Sequence, residues 1–164
     1  MKPYDLKFFH REYIRDGLLE VRHIYRFKTR LDRVYFIEVE QYKSHIYFAK
    51  FYCRIHKNLP NRYKIQLEDG DPFRIFSTCI QIAALILDKD PIASFGFIGE
   101  NSIGEDSQNT RRYRIYRVLS ERYFSPKAFL HEKDDFNSTY FIINKKNKVD
   151  KKLIEKKFNE YYIR

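Results

Sequence analysis

The hydrophobic positions in the first part of the chain follow an alternating pattern. Apolar and polar residues alternate over residues 19–27 and 63–67, and residues 34–42 and 45–56 are rich in β-branched and aromatic side chains. Such alternation places successive side chains on opposite faces of a strand. A polar pair, Lys43-Ser44, suits a hairpin turn between the second and third stretches. The pattern therefore predicts a meander of four antiparallel strands.

Both ends of the chain show helical spacing instead. Leu6, Phe9 and Tyr13 recur at intervals of three or four, which predicts a short amphipathic helix within residues 1–17. Residues 150–162 carry apolar side chains on one helical face among many lysines. This second pattern predicts a C-terminal helix.

The period of the hydrophobic pattern changes after residue 70. Asp71 suits a helix N-cap and Pro72 the first helical position, and apolar residues then recur every three to four positions until Asp88. This helix is apolar nearly all round, so we expect it to be buried. Residues 92–99 form a short run with no charge, which is typical of an inner strand.

A strongly basic segment follows. Asn109 and Thr110 provide a helix start, and apolar residues recur from there to Phe124. Residues 125–138 have the composition of a loop, and the run TYFIIN at residues 139–144 predicts a final strand. The order after the meander is therefore helix, strand, helix and strand.

The composition supports one α/β or α+β domain over residues 1–164, with its core at residues 19–144. With 43% hydrophobic residues, the chain has ample material for a packed core. No apolar run reaches the roughly 18 residues of a membrane span, so we expect a cytoplasmic protein that does not bind membranes. Cys53 and His56 are three apart in a predicted strand and point to opposite faces, so we expect no metal site there.

The formal charge of +10 makes polyanions the expected class of partner. The basic residues of the second predicted helix alternate with Tyr113 and Tyr116, and arginine with tyrosine can contact phosphates and stack on unpaired bases. The candidate nucleic-acid-binding residues are Arg111, Arg112, Arg114 and Arg117. The alternative is an ordinary solvated helix face on a basic protein.

The order of elements over about residues 34–144 resembles the GNAT superfamily of N-acetyltransferases. The segment NTRRYRIY also places Asn109 and Tyr116 at the N-x6-Y spacing that family members often carry on the second helix. The resemblance implies a mixed sheet and an acyl-CoA-dependent N-acetyltransferase activity. It also implies that Asn109 contacts the pantetheine arm of acetyl-CoA and that Tyr116 protonates the departing thiolate. The alternative is that Asn109 is a helix cap and Tyr116 a core or rim aromatic.

The chain departs from this family at the loop that binds the pyrophosphate of the coenzyme. Family members carry R/Q-x-x-G-x-G/A there, whereas this chain has DGDPFRIFST, in which Pro72 lacks an amide donor and Phe73 adds bulk. The phosphate-binding motif is therefore absent, and Arg74 is the remaining candidate for a phosphate contact. The candidate base is Glu38 or Glu40 on a central predicted strand, where the alternative is an outward-facing, solvated glutamate.

The sequence thus leaves three functions open. The first is a divergent or degenerate acyl-CoA N-acetyltransferase, and the run GDPFRIFSTCIQIAALIL followed by a basic helix is similar to uncharacterised bacterial and phage-associated relatives of that fold. The second is a nucleic-acid-binding module. The third is a non-catalytic interaction protein of the toxin–antitoxin or phage-defence type, in which aromatic faces of the sheet bind a second copy or a protein partner.

Overall fold

The structure is a computed structural model that describes residues 2–16, 19–65 and 71–147, together with residues 152 and 156. Its described strands form one mixed sheet of seven, namely β1 (Lys7–Asp16), β2 (Leu19–Lys28), β3 (Val34–Tyr42), β4 (Ile46–Cys53), β5 (Ser94–Ile98), β6 (Phe129–Asp134) and β7 (Thr139–Asn144). The described α-helices are α1 (Pro72–Lys89) and α2 (Arg111–Tyr123).

The strands lie in the order β1-β2-β3-β4-β5-β7-β6. Strands β1 to β4 pair antiparallel in sequence order, and β4 pairs parallel with β5, to which α1 connects it. Strand β7 lies between β5 and β6 and is antiparallel to both. The predicted α+β class and the mixed sheet are therefore confirmed.

Both helices pack on one face of the sheet, which we call the helical face. It carries Tyr35, Ile37 and Val39 of β3, which share one core with buried residues of α1 and α2. The opposite face carries the intervening residues of β3, including Phe36 and Glu38. This division follows from the alternation of side chains along a strand, and it decides which candidate residues can meet.

The starts of the two helices explain their positions. Asp71 is the N-cap of α1, as predicted, but its side chain accepts a hydrogen bond from the hydroxyl of Tyr4 instead of capping the helix. Helix α2 is capped by Thr110, whose hydroxyl oxygen accepts from the backbone N–H of Tyr113 at 3.1 Å. The same hydroxyl donates to the carbonyl of Gly99 at 2.6 Å and so ties the start of α2 to the end of β5.

The predicted N-terminal helix is wrong, because residues 7–16 form β1. The strand pairs with β2, and its register shifts between Phe8 and His10. A β-bulge adds one unpaired residue and so breaks the period-two alternation. With that alternation broken, the apolar residues fall at spacings that resemble those of a helix.

Two further predictions need correction. The predicted fourth strand is wrong where it is described, because Tyr63 and Lys64 lie in a turn, whereas residues 66 and 67 fall outside the described residues. Residues 129–134, predicted as loop, form the edge strand β6, whose polar sequence gives no clear alternation. The C-terminal helix predicted at residues 150–162 falls largely outside the described residues.

Candidate functional site

Tyr116, the candidate acid, lies in the core of the helical face. Its ring packs edge-on against Phe76, with ring centres 4.9 Å apart, and stacks on Phe97 at 5.1 Å. Only 1% of the residue is exposed, and burial raises the pKa of its hydroxyl well above the usual value. The environment is therefore that of a structural aromatic residue.

Glu38, the candidate base, lies on the opposite face of the sheet from Tyr116. It is 7% exposed and accepts a hydrogen bond from the hydroxyl of Tyr63 at 2.7 Å. Burial and this hydrogen bond raise the pKa of Tyr63, which keeps its proton on the phenol. Because the sheet separates Glu38 from Tyr116, the structure does not bring the two together around one substrate.

Glu40 is held by two cations on that same face. Its carboxylate lies 3.2 Å from the Nζ of Lys50 and 3.7 Å from the guanidinium of Arg22. Neither Glu38 nor Glu40 is a solvated surface residue, since both are buried. Both carboxylates therefore belong to a buried network of ionic and hydrogen-bonding side chains.

The parallel strand pair has little open space beside it on the helical face. The pairing of β4 with β5 runs from Ile46 opposite Ser94 to Ala49 opposite Phe97. Next along β4, the guanidinium of Arg112 lies 5.4 Å from the ring centre of Phe51. The cavity between β4, β5 and α1 measures about 10 Å³, which holds no more than about one water.

Arg112 is therefore an internal residue, although its sequence context suggested a surface role. Its guanidinium donates to the backbone carbonyl of Tyr63 and, at 2.7 Å, to that of Ile65. Burial lowers the pKa of the guanidinium. The arginine fastens the segment after β4 to α2 and is not available to a nucleic acid.

The other three arginines of α2 lie at or near the surface. Arg114 donates to the carbonyl of Asn109 at 2.6 Å. Arg117 lies 3.8 Å from Glu121 and 4.0 Å from Asp135. The positive charge of this helix face is thus partly compensated by its own neighbours.

Asn109 and Arg74, the candidate cofactor contacts, lie on different elements. Asn109 is exposed immediately before the cap of α2 and adopts a left-handed backbone conformation with φ of 50°. Its backbone N–H donates to the carbonyl of Asp135 at 2.8 Å. Arg74 lies in the first turn of α1, where its guanidinium covers the ring of Tyr4 at 3.8 Å.

Around Arg74 lies a cavity lined by several cationic residues, which we call the N-terminal cavity. It measures about 460 Å³ and lies between residues 2–7, the end of β2 and the first turn of α1. Its cationic lining residues are Lys2, Lys7, Arg26, Lys28 and Arg74, and Asp5 is the single carboxylate. The sequence pattern did not reveal this site, because its residues are far apart in the chain and residues 1–17 were predicted to be helical.

Tyr4 anchors the wall of the N-terminal cavity. Its backbone N–H donates to the hydroxyl of Thr78 at 2.9 Å, and its own hydroxyl donates to Asp71 at 2.5 Å. Its ring stacks on Phe27 with 5.7 Å between ring centres. Burial and the hydrogen bond to Asp71 raise the pKa of the Tyr4 hydroxyl, so this anchor stays protonated at neutral pH.

Exposed aromatic side chains continue from the cavity along β1, which is an edge strand. Phe8, Phe9 and Tyr13 are 53%, 47% and 75% exposed. Arg11 lies over the ring of Phe8 at 5.4 Å, and Arg26, which also lines the cavity, lies over Phe9 at 5.5 Å. Arg26 and Phe9 lie on the face that carries Phe36, whereas Phe8 and Arg11 lie on the helical face, so cationic and aromatic pairs flank both sides of this edge strand.

Comparison of the chain with models of protein families, with curated proteins and with solved structures found no match. Within the described part of the chain, neither helix is long and apolar enough to cross a membrane. The same residues contain no group of three or more His, Cys, Asp or Glu side chains that could hold a metal ion.

Proposed function

We propose that this protein binds single-stranded nucleic acid on the surface formed by the N-terminal cavity and β1. The observation that carries the proposal is that five cationic residues and one acidic residue line the N-terminal cavity. Phosphate backbones bind where several cations lie close together, because contact releases the counterions condensed on the nucleic acid. Of these five cations, Lys28 is compensated by Asp32 at 3.3 Å, whereas Arg117 of α2 lies within 4.0 Å of two carboxylates.

The pairing of β1 with β2 adds a physical reason for an anionic ligand. Lys7 lies directly opposite Arg26 in the ladder. Like charges at directly opposed positions destabilise a sheet, and no described carboxylate forms an ion pair with either residue. A bound phosphate would relieve this repulsion.

The exposed aromatic residues favour a single strand over a duplex. Unpaired bases stack on aromatic rings with little dependence on sequence. Phe8 and Tyr13 are more than half exposed on the edge strand next to the cavity. A strand with its phosphates near Arg26 would stack a base on Phe9, which lies on the same face, and would reach Phe8 and Tyr13 across the edge of the sheet.

The experiment is a titration of the protein into a fluorescently labelled single-stranded oligonucleotide, followed by anisotropy at increasing salt. We expect affinity to fall with salt, and the double variant Lys7→Gln/Arg26→Gln to bind more weakly with a shallower salt slope. The matched control Arg111→Gln/Arg114→Gln removes the same charge from α2 and retains most of the affinity. An equal loss of affinity in the two variants, or an affinity that does not change with salt concentration, would refute the proposal.

A second candidate function is a divergent GNAT-like acyl-CoA N-acyltransferase. The observation that favours it is the strand order, in which β4 and β5 are parallel and α1 connects them. Acyl-CoA would need the space that Arg112 and the neighbouring aromatic residues occupy, so this function requires those side chains to move. Isothermal titration with CoA and acetyl-CoA at millimolar concentration is the test, and absence of heat would remove this candidate.

A further inference from the structure

We infer that the N-terminal cavity is a phosphomonoester site that takes the terminal phosphate of a nucleotide, either free or at the end of a nucleic acid strand. This inference rests on the proposed nucleic-acid function for the second source only. Binding of a free nucleotide requires only the cavity and does not depend on the nucleic-acid function.

The charge of the cavity suits a phosphomonoester better than a single backbone phosphate. Five cationic lining residues and one carboxylate leave a formal excess of four positive charges, of which the ion pair of Lys28 with Asp32 compensates one. A phosphomonoester carries about −1.5 to −2 at neutral pH, whereas a backbone phosphodiester carries one negative charge. The terminal group therefore neutralises more of the excess per phosphate.

Arg74 supplies a positioned donor for that phosphate. Its guanidinium lies 3.8 Å from the centre of the Tyr4 ring, and Tyr4 is itself held by Thr78 and Asp71. The Nε of Arg74 is buried and has no hydrogen-bond partner among the described residues. A planar guanidinium that is already fixed on an aromatic ring can bind phosphate through two parallel hydrogen bonds with little loss of side-chain entropy.

The size and lining of the cavity suit the rest of a nucleotide. A volume of about 460 Å³ lies within the range of small-molecule sites, roughly 300–1,000 Å³. Pro3, Phe27 and Val34 supply an apolar part of the lining, next to the cations. A nucleoside can pack against this part while its phosphate lies at Arg74.

The experiment compares labelled oligonucleotides of one sequence that carry a 5′-phosphate, a 3′-phosphate or hydroxyl groups at both ends. Isothermal titrations with AMP, adenosine and inorganic pyrophosphate are run in parallel. We expect an oligonucleotide with a terminal phosphate to bind about tenfold more tightly than one with hydroxyl ends, and AMP to bind about tenfold more tightly than adenosine. A tenfold change is the effect of one charge-assisted hydrogen-bonded pair.

The variant Arg74→Lys keeps the charge but removes the planar fork, and we expect it to abolish this preference while the affinity for hydroxyl-ended strands is unchanged. Arg114→Lys is the matched control on α2 and keeps the preference. Lys28→Gln removes an exposed cavity cation and leaves the Tyr4 contacts in place, so it tests the site even if Arg74→Lys unfolds. We expect this variant to bind both AMP and phosphorylated ends more weakly.

The outcomes separate the inference from the proposed function. Tight binding of AMP without binding of any strand would support the site and refute the nucleic-acid function. Strands that bind equally well with and without terminal phosphate, with no heat from AMP or pyrophosphate, would overturn the site and leave the nucleic-acid function standing. Binding of none of these ligands would overturn both.

Discussion

The guanidinium of Arg74 lies 3.8 Å from the centre of the Tyr4 ring and so joins the first turn of α1 to the segment that precedes β1. Tyr4 in turn stacks on Phe27 of β2, and its hydroxyl donates a hydrogen bond to Asp71. This set of contacts closes one side of the N-terminal cavity. It makes residues 2–7 part of the candidate site and Tyr4 part of the folded core.

The hydroxyl of Tyr4 should therefore matter for stability. Tyr4→Phe keeps the stacked ring but deprives the part-buried Asp71 carboxylate of a donor, and we expect the free energy of unfolding to fall by about 1–3 kcal/mol. Urea unfolding measures this change. Tyr13→Phe removes a hydroxyl from a side chain that is 75% exposed and should stay within about 0.5 kcal/mol of the parent protein. Equal effects of the two variants would argue against the anchor.

Arg112 should be required for the order of the segment after β4. Arg112→Met keeps much of the side-chain volume but leaves the carbonyls of Tyr63 and Ile65 without their donor. We expect a loss of about 1–3 kcal/mol in urea unfolding and faster proteolytic cleavage near residues 57–65. Arg111→Met, at an exposed position, is the control. Unchanged cleavage in Arg112→Met would contradict the bracing role.

Gly99 should not tolerate a side chain. A Cβ at this position would lie 2.3 Å from the backbone nitrogen of Tyr113, so α2 would have to move away from the end of β5. We expect Gly99→Ala to lower the free energy of unfolding by about 3 kcal/mol, at the upper end of overpacking effects. Gly104→Ala meets no atom within 4 Å but has φ of 85°, so its cost is backbone strain of roughly 1 kcal/mol. Thermal and urea unfolding of both variants test the difference.

The protein should lose stability in alkali through its buried tyrosines. Burial raises the pKa of Tyr140 to about 12 and that of Tyr116 well above its usual value near 10. The folded state therefore binds more protons than the unfolded state above pH 10, and stability that is complete below pH 10 falls as the pH rises towards 12. Urea midpoints measured from pH 8 to pH 12 check this trend. Tyr140→Phe should reduce the fall, whereas a flat profile would contradict the prediction.

The sequence predicted the elements whose own residues carry a strong local signal. Helix α1 is capped by Asp71, begins at Pro72 and repeats apolar residues at helical spacing, and β3 is rich in β-branched and aromatic residues. The edge strands β1 and β6 were not predicted, because a bulge near Phe9 disrupts one pattern and polar residues obscure the other. Edge strands form through pairing with a neighbour, which local sequence does not encode.

The candidate site shows the same division. The sequence by itself determined the positive charge, the aromatic content and the order of α1, β5 and α2. The tertiary structure decided where the charge acts: it turned Arg112 inward, placed Glu38 and Tyr116 on opposite faces, and brought Lys7, Arg26 and Arg74 to one cavity. The physical reason is that an alternation or a helical repeat specifies one face of one element. Pairing of β1 with β2 and packing of Tyr4 against α1 specify which of these faces meet.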